Sequence, residues 1–153
     1  MSPASEVCVD ASLVVKVVVR ESDSDKADAL FDQWANEEKQ LIAPVFFEVE
    51  TDSILRQKVA LRNELTTEQA EAAFARLRGL PIQQVSESGQ RERAWEIATG
   101  FGFATVYDAT YLALAELRGC EFWTADERLF NQVKDKLFFV KWLGTYVQQR
   151  TSP

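Results

Sequence analysis

Short apolar runs alternate along this chain with longer stretches in which apolar side chains return every three or four positions. The runs are Val7-Cys8-Val9, Leu41-Ile42-Ala43, Ile82-Gln83-Gln84-Val85 and Glu121-Phe122-Trp123, closed by Asp10, Pro44, Ser86 and Thr124 in turn. Their length and their polar or proline boundaries predict short buried strands. Helical spacing joins Ala27, Leu30, Phe31 and Trp34; Val49, Ser53, Leu55 and Val59; Ala70, Ala73, Phe74 and Leu77; Ala94, Trp95, Ala98 and Phe101; and Tyr111, Leu112, Leu114 and Ala115. Apolar strands separated by amphipathic helices predict an α/β fold with a mainly parallel sheet covered on both faces. Phe138-Phe139-Val140 predicts one further strand.

Local signals punctuate the helices. Thr66 is followed three residues later by Gln69, a capping-box spacing, and Gly79 and Gly119 stand where helices should stop. Residues 13–19 present a conflict, because Leu-Val-Val-Lys-Val-Val-Val is rich in β-branched side chains that favour a strand. Asp10-Ala11-Ser12 is a good helix start, and burial overrides propensity, so a helix is predicted there. No repeat, linker or low-complexity stretch interrupts the 153 residues, and residues 1–153 are expected to form a single domain.

Composition narrows the chemistry. With 46% hydrophobic residues the chain has ample apolar surface for a core, and no run approaches the ~20 residues of a membrane helix. A soluble, intracellular protein is expected, with no membrane partner. The two cysteines, Cys8 and Cys120, sit in apolar settings that favour buried reduced thiols over a disulfide. The chain has no histidine, which excludes imidazole general bases and, with two isolated cysteines, closed zinc sites. A net charge of −7 opposes broad phosphate attraction, although a divalent ion and a local basic rim can reverse the sign at one place.

Four acids stand out against that background: Asp10, Glu50, Asp108 and Asp126. Taken singly, each has a structural reading. Asp10 can cap a helix, and Asp108 can sit at a helix start where the dipole favours a carboxylate. Asp126 lies in the first turn of a helix that Thr124 and Glu127 would cap, and Glu50 belongs to the alternating acids Glu48, Glu50 and Asp52 of a solvated helix surface. Taken together they suggest more. In a parallel sheet Asp10 and Asp126 follow strands at their carboxyl ends and Asp108 begins a nearby helix, so the three converge in one crevice. Carboxylates brought together repel unless a cation is present, and a hard divalent ion such as Mg²⁺ or Mn²⁺ prefers such oxygen ligands.

In these segments the chain resembles the PIN-domain ribonucleases, and most of all the toxin members of the VapBC toxin-antitoxin family. The resemblance rests on Val9-Asp10-Ala11-Ser12-Leu13; Ala43-Pro44 leading to Glu50 and Arg56; Tyr107-Asp108-Ala109-Thr110-Tyr111 running on to Glu116; and Thr124-Ala125-Asp126-Glu127-Arg128-Leu129. It implies a three-layer α/β/α sandwich, a Mg²⁺ or Mn²⁺ cofactor and endonucleolytic hydrolysis of RNA in the cytoplasm. Carried over by position, Asp10, Glu50, Asp108 and Asp126 would be the catalytic acids. Asp10, Asp108 and Asp126 would hold the metal, while Ser12 and Thr124 would orient carboxylates or waters. The family often has Asn where this chain has Ser53, which leaves Glu48 in reserve for Glu50.

The resemblance also implies a small antitoxin partner and a homodimer. Helices carrying Val49, Ile54 and Leu55, or Leu30, Phe31 and Trp34, are candidate walls for an antitoxin groove. Lys16, Arg20, Arg56, Lys58 and Arg62 are the basic residues nearest the acidic segments, either phosphate contacts or ordinary solvated charges. Trp34, Phe74 and Trp95 are expected in the core rather than as base-stacking platforms. The competing function is a catalytically inactive PIN-like scaffolding module. A phosphatase or phosphoacceptor domain fits less well, because Asp10-Ala11-Ser12 lacks a second Asp or a partner Lys.

Overall fold

The computed structural model describes residues 5–148. Five strands, β1 (Glu6–Val9), β2 (Gln40–Ala43), β3 (Ile82–Gln84), β4 (Glu121–Thr124) and β5 (Val140–Trp142), form one sheet in the order β3-β2-β1-β4-β5. Every pairing is parallel, as the alternation of apolar runs and helices predicts. Seven helices occupy the connections: α1 (Ala11–Val18), α2 (Ser24–Asn36), α3 (Phe47–Ala60), α4 (Thr67–Arg78), α5 (Gln90–Phe101), α6 (Tyr107–Arg118) and α7 (Glu127–Val133). Both faces of the sheet are covered. Adjacent residues of β4 show it, since Phe122 meets Tyr111 of α6 while Trp123 meets Trp34 of α2. The result is a three-layer α/β/α sandwich.

Residues 11–18 are helical despite four valines. Each Val costs at most ~0.7 kcal/mol against Ala in a helix, whereas burying its side chain returns about 1.5–3 kcal/mol. Ala11, Leu13, Val14, Val15 and Val18 are all buried, so burial decides. The preference for extended backbone reasserts itself at Val19, which leaves the helix at φ −122° and ψ 134°. Helix α6 is more deeply enclosed: residues 111–115 have no exposed surface. It ends at Gly119, whose φ of 65° lies where glycine is favoured. Thr66 and Gln69 form the predicted capping box of α4. Cys8 and Cys120 are buried free thiols. At Gly144 a Cβ would collide with the ring of Trp142, so a larger residue there requires that ring to move.

Five expectations need correction. The last strand begins at Val140, because residues 134–139 turn after α7 and leave Phe138 exposed to solvent. The buried face of α3 is Phe47, Thr51, Leu55 and Lys58 rather than the stripe through Val49 and Ser53, so Val49 points outward. Trp95 is 69% exposed and Phe74 40%, so neither is a core residue. Leu55 is buried and adds nothing to an exposed groove wall, whereas Leu30 and Trp34, though mostly buried, line a pocket of about 360 Å³ with Gln33, Trp123 and Tyr146. Finally, Thr124 ends β4, and it is Asp126 that caps α7. Its Oδ1 accepts the N–H of Leu129 at 3.2 Å. No helix among the described residues is long and apolar enough to cross a membrane.

Candidate active site

The carboxyl ends of β1 and β4 lie side by side, with Val9 in register with Trp123. The ladder continues one step further, as the N–H of Asp10 donates to the carbonyl of Trp123 at 3.0 Å. Asp10 occupies the N-cap position of α1 in extended conformation, yet its side chain caps nothing. Its Oδ2 instead accepts the hydroxyls of Thr124 at 2.6 Å and Ser12 at 2.9 Å. Each hydroxyl has one proton and spends it there, so the 3.5 Å approach of Ser12 Oγ to Thr124 Oγ1 adds no further bond. Both oxygens also accept: Ser12 Oγ from the N–H of Ala125 at 3.2 Å, Thr124 Oγ1 from that of Asp126 at 2.9 Å. Two strand ends are thereby laced together through one buried carboxylate.

The other acids arrive on helix starts. Glu50 lies in the first turn of α3, where the buried phenol of Tyr111 donates to its Oε1 at 2.8 Å. Phe46 packs edge-on against Tyr111, with ring centres 5.5 Å apart, and holds the phenol in that direction. Asp108 lies in the first turn of α6, one helical turn before Tyr111. Glu48 stands apart. Its N–H donates to Gln84 Oε1, and it lines a separate pocket with Asp52 and Phe74.

Electrostatics couples the four. Burial pushes the Asp10 carboxyl above its ordinary range; the hydroxyls of Thr124 and Ser12 pull it back, and the charge of Asp126 pushes it up again. Burial raises Glu50 as well, with the Tyr111 bond opposing and the Asp10 charge reinforcing. Asp108 is raised by all the other acids at once. Burial and then the charges of Asp10, Asp126 and Glu50 push it up to about 6, although the residue as a whole keeps solvent contact. It is the point at which the fields of all three other acids meet. Glu48 acts on Asp52 instead.

Among the described residues no three of His, Cys, Asp or Glu are gathered closely enough to enclose an ion by themselves. The donor set nevertheless suits a hard divalent cation. It consists of carboxylates that raise one another's pKa, and Mg²⁺ is ordinarily held by one or two carboxylates with water completing its shell. The thiols offer no alternative, because Cys8 is buried within the sheet and well above its normal pKa.

Sequence reasoning missed the role of Tyr111, reading it as one more apolar position of α6. The signal was its phenol, a polar tip among the otherwise aliphatic buried positions of α6 and three residues beyond an acid, where side chains share a face. Of the basic candidates, Arg20 is engaged by Asp28 at 2.7 Å, Lys16 by the carbonyl of Ser22 at 2.8 Å, and Lys58 by Glu21 and Glu64 at 2.9 and 3.0 Å.

Comparison with known proteins gives this fold a family. The PIN domain family matches residues 7–136, a span holding all four acids. Ribonuclease VapC3 of Mycobacterium tuberculosis is 32% identical over 128 residues, covering 84% of this chain and 88% of that protein. Ribonuclease VapC9 of the same organism is 30% identical over 123 residues, covering 80% and 87%. A parallel sandwich, acids at its carboxyl edge and a match over most of the length converge on one conclusion: the chain belongs to the PIN domain family.

Proposed function

We propose that the protein is a divalent-metal-dependent endoribonuclease, the toxin of a toxin-antitoxin pair, and that residues 1–153 act as one domain. The observation that carries this reading is the coupling of acids from four separate elements around Asp108, with Asp10 held by two hydroxyls between the strand ends. Repelling carboxylates cost stability, and a cation makes them useful.

Asp10, Asp108 and Asp126 would hold Mg²⁺ or Mn²⁺. When bound, the ion supplies charge neutralisation at a phosphodiester and acidifies water. Thr124 and Ser12 fix Asp10 through Oδ2, so Asp10 would hold the ion with a carboxylate whose orientation is already set. Glu50 acts as general base. Burial and the charge of Asp10 raise its proton affinity, while the Tyr111 hydroxyl fixes Oε1 and leaves Oε2 to aim a water.

The substrate is RNA, and the partners are a small antitoxin and a second copy of the chain. For the antitoxin, in place of the helix carrying Val49, Ile54 and Leu55 or the one carrying Leu30, Phe31 and Trp34, the reading takes a groove of about 1030 Å³ lined by Val45, Phe46, Arg91, Trp95, Val106 and Tyr107. Four of these are large exposed apolar side chains beside Asp108, the surface an amphipathic helix needs. The surplus of −7 suits a basic partner.

The test is cleavage of total cellular RNA by the purified protein, with Mg²⁺ or Mn²⁺ against EDTA and with Asp108→Asn as control. Metal-dependent cuts lost in the variant are the expected result. Retained cleavage in Asp108→Asn would refute the site assignment, and no cleavage by the native chain would favour a scaffolding module.

A further inference from the structure

A pocket of about 340 Å³ opens directly beside the acids. Ser12 and Asp126 form one wall, and Lys16, Lys58, Arg62 and Glu21 contribute to the rest. Its size is at the lower end of the ~300–1,000 Å³ of small-ligand sites, room for a phosphate and its sugar rather than for a folded helix. The larger apolar groove beside α5 includes none of the four acids, so a strand continuing from the acidic centre finds this pocket.

Its charge balance differs from that of the molecule as a whole. In a chain of net −7, three cations and two carboxylates line the pocket, and Glu64, which pairs with Lys58 from outside that lining, brings the local balance to even. The lysines are held rather than mobile. Lys58, 7% exposed, is bound by Glu21 Oε2 and Glu64 Oε2, and Lys16 by Glu21 Oε1 at 3.5 Å and the Ser22 carbonyl. An ammonium carries three protons, and two on each lysine are placed by these contacts, so each retains one for an incoming acceptor. Because the protein has already ordered them, little side-chain entropy remains to be lost on binding. Arg62 stands at the exposed rim, on the loop after α3, fixed at its backbone by an N–H···O bond of 3.0 Å to Gln57.

A knot of ion pairs tying the α1–α2 connection to α3 would explain Lys16, Lys58, Glu21 and Glu64. Arg62 reaches it only through the field it exerts on Glu64, with no ion pair of its own among the described residues. We propose that the pocket is a subsite for a backbone phosphate of the RNA strand next to the one cleaved, with Arg62 and the spare protons of Lys16 and Lys58 as donors. The proposal rests on the endoribonuclease reading and adds to it the direction in which the strand leaves the acids, across α1 and the end of α3. Such a contact positions the strand without reading its sequence.

The test uses the full chain carrying Asp108→Asn, with Mg²⁺, and a short fluorescent single-stranded RNA as probe. Anisotropy gives the affinity across a range of KCl concentrations, while cleavage of total RNA is followed in the chain with native Asp108. Arg62→Ala is expected to weaken binding about five- to tenfold and to make the slope of log affinity against log salt shallower by roughly 0.7, one phosphate contact. Arg62→Lys should restore most of the slope, and Arg78→Ala, on the far end of α4, should match the parent. If Arg62→Ala leaves affinity and slope equal to the parent while the native chain still cuts RNA, the subsite is refuted and the nuclease stands. Weaker binding with an unchanged slope refutes it too, since a lost phosphate contact must change the slope. A native chain that neither binds nor cuts RNA removes both readings.

Discussion

Replacing Asp108 by Asn should make the metal-free protein more stable while abolishing its cleavage. The carboxyl of Asp108 is pushed from 3.8 to about 6 by burial and by the charges of Asp10, Asp126 and Glu50. A shift of that size corresponds to roughly 3 kcal/mol for a fully enclosed group. Asp108 keeps solvent contact, so screening reduces this to about 1.5 kcal/mol, and Asn forfeits about 0.5 kcal/mol of favourable dipole interaction at the start of α6. A net gain of about 1 kcal/mol remains, equivalent to a Tm rise of roughly 3 °C in a chain of this length. The sign follows from linkage. The folded pKa is raised, so the penalty is absent below the unfolded value of 3.8, grows as pH climbs and is complete above about 6. Thermal unfolding in EDTA should therefore show the two proteins alike near pH of about 4 and separated above neutrality. Saturating Mg²⁺ should reverse the order, since ligand at a hundred times its Kd adds about 2.7 kcal/mol to the protein that binds it. A variant less stable than the native chain at neutral pH in EDTA, or a gap independent of pH, would refute the account of mutual repulsion.

Three further outcomes follow from the same contacts. Thr124→Val keeps shape but removes a donor to Asp10 and an acceptor for the Asp126 N–H, so urea unfolding should show a loss of about 3 kcal/mol, and cleavage should fall with it. A loss below half a kilocalorie, as for a surface change, would show that the hydroxyl bridge holds nothing. Tyr111→Phe deletes the bond that lowers the pKa of Glu50, so the acid limb of the pH–rate profile should move to higher pH with activity recovering as pH rises; an unmoved limb rules out Glu50 as the base. Trp95→Ser should change stability by less than ~0.5 kcal/mol and leave cleavage intact, because the side chain is 69% exposed, while weakening capture by the antitoxin; unaltered capture would place the partner elsewhere.

Much of the fold was legible because burial in a parallel sheet leaves a plain trace. Val7-Cys8-Val9 and Leu41-Ile42-Ala43 are apolar throughout since both faces of their strands are covered. Residues 11–18 were readable only by letting Asp10 outweigh the valines. The errors have a common cause. Val49, Phe74 and Trp95 are apolar residues on helices whose inward face is decided by neighbours, and periodicity cannot distinguish a core stripe from an exposed one when both carry apolar side chains. Helix α3 is the clearest case: it buries Thr51 and Lys58, two residues no hydrophobic pattern selects. In the acidic centre local spacing alone makes Thr124 a cap, while the family resemblance gives it the role of orienting a carboxylate; the pairing of β1 with β4 supplies the partner, Asp10, 114 positions away. The phenol of Tyr111 pointed across 61 positions to Glu50, a distance local spacing does not register.

The place of β1 at the centre of the sheet governs when the acidic centre can come into being. One edge of β1 pairs with β2 soon after both are made, but the other waits until β4 at Glu121–Thr124 has been made. Until then Asp10 has no Thr124 beside it and Asp126 does not yet exist. A ribosome-bound chain emerging from its amino end therefore holds its first acid ready while lacking the last, and premature termination anywhere before β4 yields a polypeptide without the hydroxyl bridge. Strand order thus acts as a timing device, withholding the assembled acidic centre from any chain that has not been made through β4 and Asp126.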